Sequence, residues 1–298
     1  MADNQGVPAV GNPTSTNKKD QEACANEPGT HTEPMETAES PQAEQPAEDC
    51  QEIIIVNEHT TELDLNHGRI GKIENLEHLK NLERMLDLSF NRIKEIEGLE
   101  KLLNLKKLFL SSNKIHEIKN VNHLPKLELL ELGDNKIREI KNLEGLTTLK
   151  QLYLGKNKIS KIQNLEELTE LEILVLQSNR IVKIENLEEL TKLEQLYISE
   201  NGISVIENLN NQVKLQTLDL AVNRITVIEN VGHMQDLEEL WLNDNQITDW
   251  SSVDYLKQNK KITTIYLERN PVAADPAYRR KLKLTLPSLQ QIDATLCR

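Results

Sequence analysis

The sequence predicts an α/β solenoid, in which coils of about 22 residues stack in one direction and share a parallel β-sheet. Two observations lead to this prediction. Residues 105–118 read LKKLFLSSNKIHEI, the pattern LxxLxLxxNxIxxI, and the chain repeats this pattern almost unchanged. A single coil of this kind cannot enclose its own apolar residues, whereas a stack of coils can. The asparagine of the pattern recurs every 22 residues, at Asn91, Asn113, Asn135, Asn157, Asn179, Asn201, Asn223 and Asn245.

The residue types explain the spacing. Leu108 and Leu110 point to one side of a short strand and Phe109 to the other, so the leucines are predicted to face inward. The side chain of Asn113 is predicted to hydrogen-bond main-chain groups of its own coil and of the next coil, which would otherwise be buried without partners. The pattern is that of a leucine-rich repeat, with the sheet on the concave side and a 3-10 or irregular convex side.

Three regions are predicted along the chain. Residues 1–52 contain no Leu, Ile, Phe, Trp or Tyr and carry eleven acidic residues against Lys18 and Lys19. This composition cannot form a core, and it predicts a disordered acidic tail. Residues 53–269 are predicted to form the solenoid and residues 270–298 its C-terminal cap.

The repeats are irregular at three places. Gly68 stands where the first coil should have its asparagine, as is tolerated in a terminal repeat. The leucine spacing at residues 82–86 is one longer than elsewhere, which predicts a bulge at residues 83–85. The last asparagine, Asn270, follows its predecessor by 25 residues, so an insertion is predicted at residues 251–261.

The C-terminal cap is predicted to contain a helix. Asp275 followed by Pro276 is typical of a helix start, and Pro287 ends the segment. Tyr278 and Leu282 lie four residues apart, as do Leu282 and Leu286, so the three side chains share one face. That face is predicted to cover the open end of the last coil.

One position of each coil is left free by the scaffold. The residue between the two inward leucines faces the concave side, and five of the ten residues in this column are aromatic although the chain has only 3% aromatic residues. Aromatic side chains interleaved with acids are typical of a surface that binds a protein with a basic or mixed patch. The alternative is that these side chains only cover one face of the strands, where aromatic residues are favoured, and bind nothing. The column reads Asp64, Asp87, Phe109, Glu131, Tyr153, Val175, Tyr197, Asp219, Trp241 and Tyr266.

Two other features are open to a structural or a functional interpretation. Phe90 and Trp250 are interpreted as packing residues. The position after the repeated asparagine forms a basic ridge, which is either a solvated row paired with glutamates or a second contact surface. The basic ridge consists of Arg69, Arg92, Lys114, Lys136, Lys158, Arg180 and Arg224.

Several classes of function are disfavoured. The net charge of −13 argues against nucleic acid and anionic membranes as partners. No catalytic motif or metal-ligand spacing occurs, so no enzyme activity, cofactor or metal is predicted. Asp64 and Asp87 become neighbours across two coils, but a carboxylate pair alone is a weak catalytic signal. The positions of Cys24, Cys50 and Cys297, and the lack of an apolar leader or membrane span, favour a reduced intracellular protein.

Longer motifs resemble the regulatory subunit 7 family of protein phosphatase 1. These are IENLEEL at 184–190, LYLGKNKISKIQNL at 152–165, and the ending YLERNP, DPAYRRKL and LPSLQQIDAT. The resemblance covers about residue 60 to the end. It implies a nuclear and cytoplasmic, non-catalytic protein, monomeric when free, that binds the phosphatase catalytic subunit through its concave face. A ternary complex with further phosphatase regulators is also expected.

The resemblance also implies contact residues, which are carried over by matching positions. Together with Tyr197, which the column adds, the predicted partner-binding residues are Asp87, Phe109, Glu131, Tyr153, Asp219, Glu239, Trp241 and Tyr266.

The chain departs from that family in two ways. Tyr153 stands where the family usually has Phe. The family has about two more repeats, and the irregular step at 83–86 is where they would lie, so a deletion that joins two distant coils is predicted. The alternative function is that of a scaffold in another assembly, such as a spliceosomal or ciliary repeat protein.

Overall fold

A computed structural model describes residues 56–297, which lie within one compact unit, Ile54–Arg298. Over these residues twelve strands form one sheet, and each strand lies beside its neighbours in the sequence. The strands pair in parallel except for the last pair, which is antiparallel. The predicted fold class is confirmed. The predicted tail, residues 1–52, lies outside the described residues and stays a prediction. The strands are β1 (Glu62–Asp64), β2 (Met85–Asp87), β3 (Lys107–Phe109), β4 (Leu129–Glu131), β5 (Gln151–Tyr153), β6 (Ile173–Val175), β7 (Gln195–Tyr197), β8 (Thr217–Asp219), β9 (Glu239–Trp241), β10 (Thr264–Tyr266), β11 (Gln291–Ile292) and β12 (Thr295–Leu296).

Each strand alternates as the pattern predicts. In β3, Lys107 is exposed and Phe109 is half-buried, whereas Leu108 between them is fully buried. Leu110, just after the strand, is also fully buried. The inward leucines therefore belong to the core, and the first and third residues of strands β1 to β10 form the opposite face, which is accessible except at β8, where Thr217 and Asp219 are buried.

The return half of each coil is built from tight turns. The amide of Leu102 donates to the carbonyl of Leu99, and Leu105 in turn donates to Leu102, both at 3.0 Å. Equivalent pairs recur in most of the coils, as at Leu168 and Leu171. Bonds between residues three apart are those of 3-10 turns, and they bring every third residue into the core.

The repeated asparagine links neighbouring coils. Asn113 Nδ2 donates to the carbonyls of Leu110 and Ser111 in its own coil, at 3.1 Å each. It also donates to Leu88 at 2.9 Å, and its Oδ1 accepts from the amide of Ile93 at 3.0 Å. Both of these groups lie in the preceding coil, so the expected link to the next coil was wrong in direction. The reason is that the Ile93 amide points toward the following coil, where Asn113 is the acceptor.

A second row of asparagines was not predicted. Each adopts a left-handed φ of 55° to 57° and donates from Nδ2 to an isoleucine carbonyl of the preceding coil, at 2.6–2.8 Å. Asparagine and glycine tolerate this conformation better than other residues, and Gly98 takes the same place in its coil with φ 69°. The signal in the sequence was the recurrence of asparagine before an aliphatic residue, as in IENLEEL. The second row consists of Asn120, Asn142, Asn164, Asn186, Asn208 and Asn230.

The predicted bulge lies in the second coil. β2 pairs with β3 only at its last two residues, whereas most of the parallel pairs extend over three. The extra residue is accommodated before Met85. The amides of Glu83 and Arg84 approach the carbonyl of Thr61, at 3.3 and 2.9 Å, whereas in later coils the corresponding pair of amides includes the first residue of the strand, as at Glu128 and Leu129. Beyond the bulge, Asp64 and Asp87 lie opposite each other as expected.

The predicted insertion forms a short helical segment. Helix α1 (Trp250–Asp254) is followed by a 3-10 turn at Tyr255–Gln258. Asp249 caps α1, because its Oδ1 accepts the amide of Ser251 at 2.9 Å. Val253 and Leu256 are buried, so the insertion contributes to the core.

The predicted capping helix is present as α2 (Tyr278–Thr285), which follows a 3-10 turn at Pro271–Ala274. The predicted start at Asp275 and Pro276 was wrong, because Asp275 ends the 3-10 turn and its Oδ1 accepts the Ala277 amide at 2.7 Å in the turn before the helix. Tyr278, Leu282 and Leu286 are buried as expected. The strands β11 and β12 were not predicted. Asp293, next to β11, closes the stack, because its Oδ1 accepts the Leu267 amide at 2.9 Å and the Tyr278 hydroxyl at 3.1 Å.

Two fully buried polar residues, Gln212 and Asn259, interrupt the apolar core. Gln212 lies where neighbouring coils have Leu190 and Met234; its Nε2 donates to the Leu187 carbonyl at 2.7 Å, but its Oε1 has no hydrogen-bond partner within residues 56–297. We expect Gln212→Leu to raise the free energy of unfolding by about 1 kcal/mol, because it removes an unsatisfied buried acceptor. Urea denaturation measures the change. The same substitution at the exposed Gln246 should give no gain, and a loss at Gln212 would contradict this prediction.

Candidate functional site

The sheet face, defined as the first and third residues of strands β1 to β10, holds all nine predicted partner-binding residues. Eight of them are third residues, and Glu239 is a first residue that lies beside Trp241 on the same strand. The register places Phe109 between Asp87 and Glu131, and Asp219 between Tyr197 and Trp241. The column predicted from the sequence is therefore a continuous row of side chains across ten strands. Their role in binding stays a prediction.

The C-terminal end of the row carries an aromatic pair. The rings of Trp241 and Tyr266 lie 5.5 Å apart and are tilted by 55°. The Tyr266 hydroxyl accepts from Gln291 Nε2 at 2.5 Å, which ties the pair to the cap. Trp241 Nε1 is buried without a hydrogen-bond partner among the described residues. The pair therefore presents a fixed, half-buried aromatic surface.

The centre of the row is held by neighbours on the same strand. The hydroxyls of Tyr153 and Tyr197 donate to Gln151 Oε1 and Gln195 Oε1, at 3.1 and 3.2 Å. These bonds restrain the tyrosine rings before any partner arrives. Sequence reasoning missed the two glutamines, although the strand period of two places them on the same face.

The sheet face also contains aliphatic side chains that sequence reasoning missed. Leu129 and Ile173 are first residues of their strands and are partly exposed. Ile173 lies on the strand of Val175, and that strand pairs with those of Tyr153 and Tyr197. The centre of the face is therefore more apolar than the column alone suggested.

The acidic residues of the row have a structural role as well. Their carboxylates accept the main-chain amide two residues later, and thereby fix the turn after the strand. Asp87 accepts from Ser89 at 2.8 Å and Glu131 from Gly133 at 2.7 Å. Asp219 does the same with Ala221 at 3.0 Å. These bonds explain the preference for acids at this position without a partner.

Burial changes the ionisation of these acids. Burial raises the pKa of Glu131 to about 7. The hydrogen bond from the Gly133 amide lowers this pKa, and the negative charge of Asp87 raises it further. Burial also raises the pKa of Asp219, although the Ser199 hydroxyl, at 2.6 Å, opposes the shift. The pKa of Glu239 is raised for the same reason. With a pKa of about 7, Glu131 is only partly ionised near neutral pH, so the sheet face is less negative there than its number of acids implies.

We expect Glu131 to make the fold less stable as pH rises. Its pKa is about 7 in the folded chain and lower when unfolded, so the folded state holds the proton more tightly between these values. Stability should fall by roughly 1–3 kcal/mol as the pH passes upward through this window.

Thermal melts at pH 5 and pH 8 measure this effect. Glu131→Gln should flatten the decline, whereas Glu144→Gln, at an exposed position, should leave it unchanged. Equal pH dependence in Glu131→Gln and the unmodified chain would contradict the assignment.

The other aromatic residues singled out in the sequence lie elsewhere. Phe90 is 53% exposed and stacks on His67, with ring centroids 4.5 Å apart and planes at 8°. Trp250 lies 6.2 Å from the ring of Tyr278, and the Nζ of Lys281 is 4.9 Å from the Trp250 centroid. Trp250 thus packs on the cap, whereas Phe90 packs only on the surface.

Two further features bear on the kind of site. Within residues 56–297 there is no group of three or more His, Cys, Asp or Glu side chains arranged to hold a metal ion. No helix in the same range is long and apolar enough to cross a membrane.

Stacked coils that display one continuous face of anchored side chains define a protein-interaction module built from repeats. A family model described as "Leucine-rich repeat" matches residues 50–154 and 189–296. The chain therefore belongs to the leucine-rich-repeat family.

A short segment of the chain is similar to curated proteins. It is 57% identical over 49 residues to "Protein phosphatase 1 regulatory subunit 7" from Danio rerio and from Homo sapiens. The match covers 16% of this chain and only 14% of each relative. Together with the fold, this similarity indicates a role in protein interaction.

Solved structures share the fold. The leucine-rich-repeat protein LIC12759 of Leptospira interrogans is 26% identical, with a TM-score of 0.71, and the match covers 77% of this chain and 59% of that one. An internalin, inlF, of Listeria monocytogenes is 22% identical, with a TM-score of 0.52, over 80% of this chain and 88% of its own. The second likeness shows the fold alone.

Proposed function

We propose that this chain is a non-catalytic regulatory subunit that binds the catalytic subunit of protein phosphatase 1 through the sheet face. It would thereby control the activity, maturation or location of the phosphatase, in the nucleus and the cytoplasm. The observation that carries the proposal is the alignment of aromatic and acidic residues in one row across adjacent strands. The 49-residue similarity to a phosphatase regulatory subunit supports this choice of partner.

The geometry of the sheet face suits a globular partner. Phe109 and Tyr153 lie on either side of Glu131, and the Trp241–Tyr266 pair lies near the other end of the row. Aromatic anchors of this kind supply most of the free energy of binding at protein interfaces. Because the tyrosines are already held by glutamines, binding costs little additional side-chain entropy.

The acids of the sheet face select the charge of the partner. Four of the predicted partner-binding residues on this face are acids. Asp219 is buried, and Asp87, Glu131 and Glu239 are half-buried. A basic side chain of the partner that approaches Glu131 would favour the ionised carboxylate, which burial alone disfavours. The expected partner surface is therefore basic or mixed, with apolar depressions for the rings.

Isothermal titration calorimetry of the purified chain with the purified phosphatase catalytic subunit tests the proposal. We expect a one-to-one complex with a Kd of about 1 µM or tighter. The catalytic subunit of another serine/threonine phosphatase serves as the control and should not bind. Absence of heat with both proteins would contradict the proposal. Sedimentation of the free chain should show a monomer, and ternary complexes with other phosphatase regulators are expected to form on the binary complex.

A scaffold role in another assembly is the alternative. It is favoured by the short extent of the similarity, 16% of the chain. A pull-down from cell extract with this chain as bait distinguishes the two functions by the proteins that it recovers. Recovery of spliceosomal or ciliary components without the phosphatase would favour the scaffold.

A further inference from the structure

A second accessible surface lies away from the sheet face. Among the described residues, ten large hydrophobic side chains are exposed, and five of them are valines between residues 182 and 227. Exposed apolar residues scattered singly are ordinary, but a cluster is typical of an interaction site. The valines are Val182 (62% exposed), Val205 (42%), Val213 (50%), Val222 (45%) and Val227 (45%).

Four of these valines lie close to the repeated asparagine in three successive coils. Val205 and Val227 each follow that asparagine by four residues, so they occupy the same position of adjacent coils. In earlier coils this position is held by Glu95 and Glu117, which pair with Lys119 and Lys141 at 2.8 Å each. The surface therefore changes from charged to apolar along the stack.

The apolar surface adjoins the basic ridge. Arg180 and Arg224 belong to the ridge, and Gly202 takes the ridge position in the coil between them. A β-carbon at Gly202 would lie 3.1 Å from Val182 Cγ1, so Val182 occupies the space of the missing ridge side chain. None of the ridge residues forms an ion pair with another residue of the described range.

Val222 adds an independent observation. Its φ is 53°, in the left-handed region that a β-branched residue rarely adopts. The equivalent residues of the neighbouring coils are Glu200 and Asp244, which are not β-branched. Val222 is nevertheless 45% exposed, so packing within the chain does not compensate for its backbone strain. Strain that folding does not require points to a role in binding.

We infer that Val182, Val205, Val222 and Val227, the valine patch, are a docking site for a short extended protein segment that carries aliphatic side chains beside carboxylates. The aliphatic side chains would cover the valine patch, and the carboxylates would approach Arg180 and Arg224. Acids also border the valine patch: Glu207 and Glu229 follow Val205 and Val227 by two residues, and Glu200 and Asp244 hold the position of Val222 in the neighbouring coils. This arrangement repels a uniform polyanion and sets the orientation of the segment.

Titration of the full chain, labelled with 13C at the valine methyl groups, tests the inference. The probe is a synthetic peptide with a Leu-Leu pair flanked by glutamates, and the control peptide has lysines in place of the glutamates. We expect saturable shifts at the four valines of the patch with the acidic peptide only. The buried Val121 and the sheet-face Val175 should not shift.

Variants separate a binding role from a structural one. Val222→Asn should raise the melting temperature, because asparagine tolerates a left-handed φ, and should weaken peptide binding about threefold to tenfold. Arg180→Glu should weaken it at least fivefold, whereas Val213→Ala, outside the patch, should not change it.

Several results would overturn the inference. These are no saturable shift at about 1 mM peptide, equal binding of the lysine peptide, or shifts at Val175. Shifts that appear on concentrating the chain without peptide would assign the patch to a second copy. The test does not involve the phosphatase, so its outcome is independent of the function proposed above.

Discussion

Trp241→Ala is expected to weaken binding of the phosphatase catalytic subunit at least thirtyfold, which corresponds to about 2 kcal/mol or more. Trp241 contributes the largest ring of the sheet face and stacks at an angle on Tyr266. It also lies opposite Asp219 in the register and on the same strand as Glu239. Its loss would remove an aromatic anchor and leave Tyr266 without its neighbour. Calorimetric titration with the purified catalytic subunit gives the change in Kd.

A matched control is available on another surface. Phe90 is 53% exposed and stacks on His67, away from the sheet face. Phe90→Ala should therefore change the Kd less than twofold. Thermal melts of both variants show whether the solenoid remains folded. An unchanged Kd for folded Trp241→Ala would exclude the sheet face as the main contact.

Asn157→Ala is expected to lower the free energy of unfolding by about 3–5 kcal/mol. The Asn157 amide donates to the carbonyls of Leu154 and Gly155 at 3.1 Å and to Leu132 of the preceding coil at 3.0 Å. Its Oδ1 accepts the amide of Ile137 at 3.0 Å. The alanine variant would leave the Ile137 amide buried without a partner in the middle of the stack.

Urea denaturation of Asn157→Ala and of the unmodified chain measures this difference in the free energy of unfolding. Asn211→Ala is the control, because Asn211 is exposed and makes one bond, to the Glu188 carbonyl at 3.0 Å. We expect that variant to lose less than about 1 kcal/mol. A similar loss for both variants would mean that the ladder contributes no more than a surface bond.

The sequence was sufficient to predict those features in which the same residue type has the same structural role in every coil. Leu108 and Leu110 had to face the core, and this placed Phe109 on the accessible face without further information. The column and its register followed from the period alone. The capping helix was predictable because Tyr278 and Leu282 repeat at helical spacing before a proline.

Features that depend on main-chain direction were not predictable in this way. Asn113 bonds the preceding coil because the Ile93 amide points toward Asn113, and the residue types alone do not specify this main-chain orientation. The second row of asparagines depends on a left-handed φ, as at Asn164. Glu131 was interpreted only as a binding residue, because its hydrogen bond with the Gly133 amide can be predicted only when the conformation of the turn is known.

The direction of the ladder has a consequence for synthesis on the ribosome. Each coil offers an amide that only the following coil can accept, as Ile93 does to Asn113 and Ile247 to Asn270. A growing chain therefore always ends in an unfinished coil, however many coils precede it. In the last coil of the ladder, the amide at the same position, that of Val272, donates instead to the Ile247 carbonyl at 2.9 Å, so the series ends there. The nascent solenoid thus carries one open edge until that coil is made, and that edge is where premature association would begin.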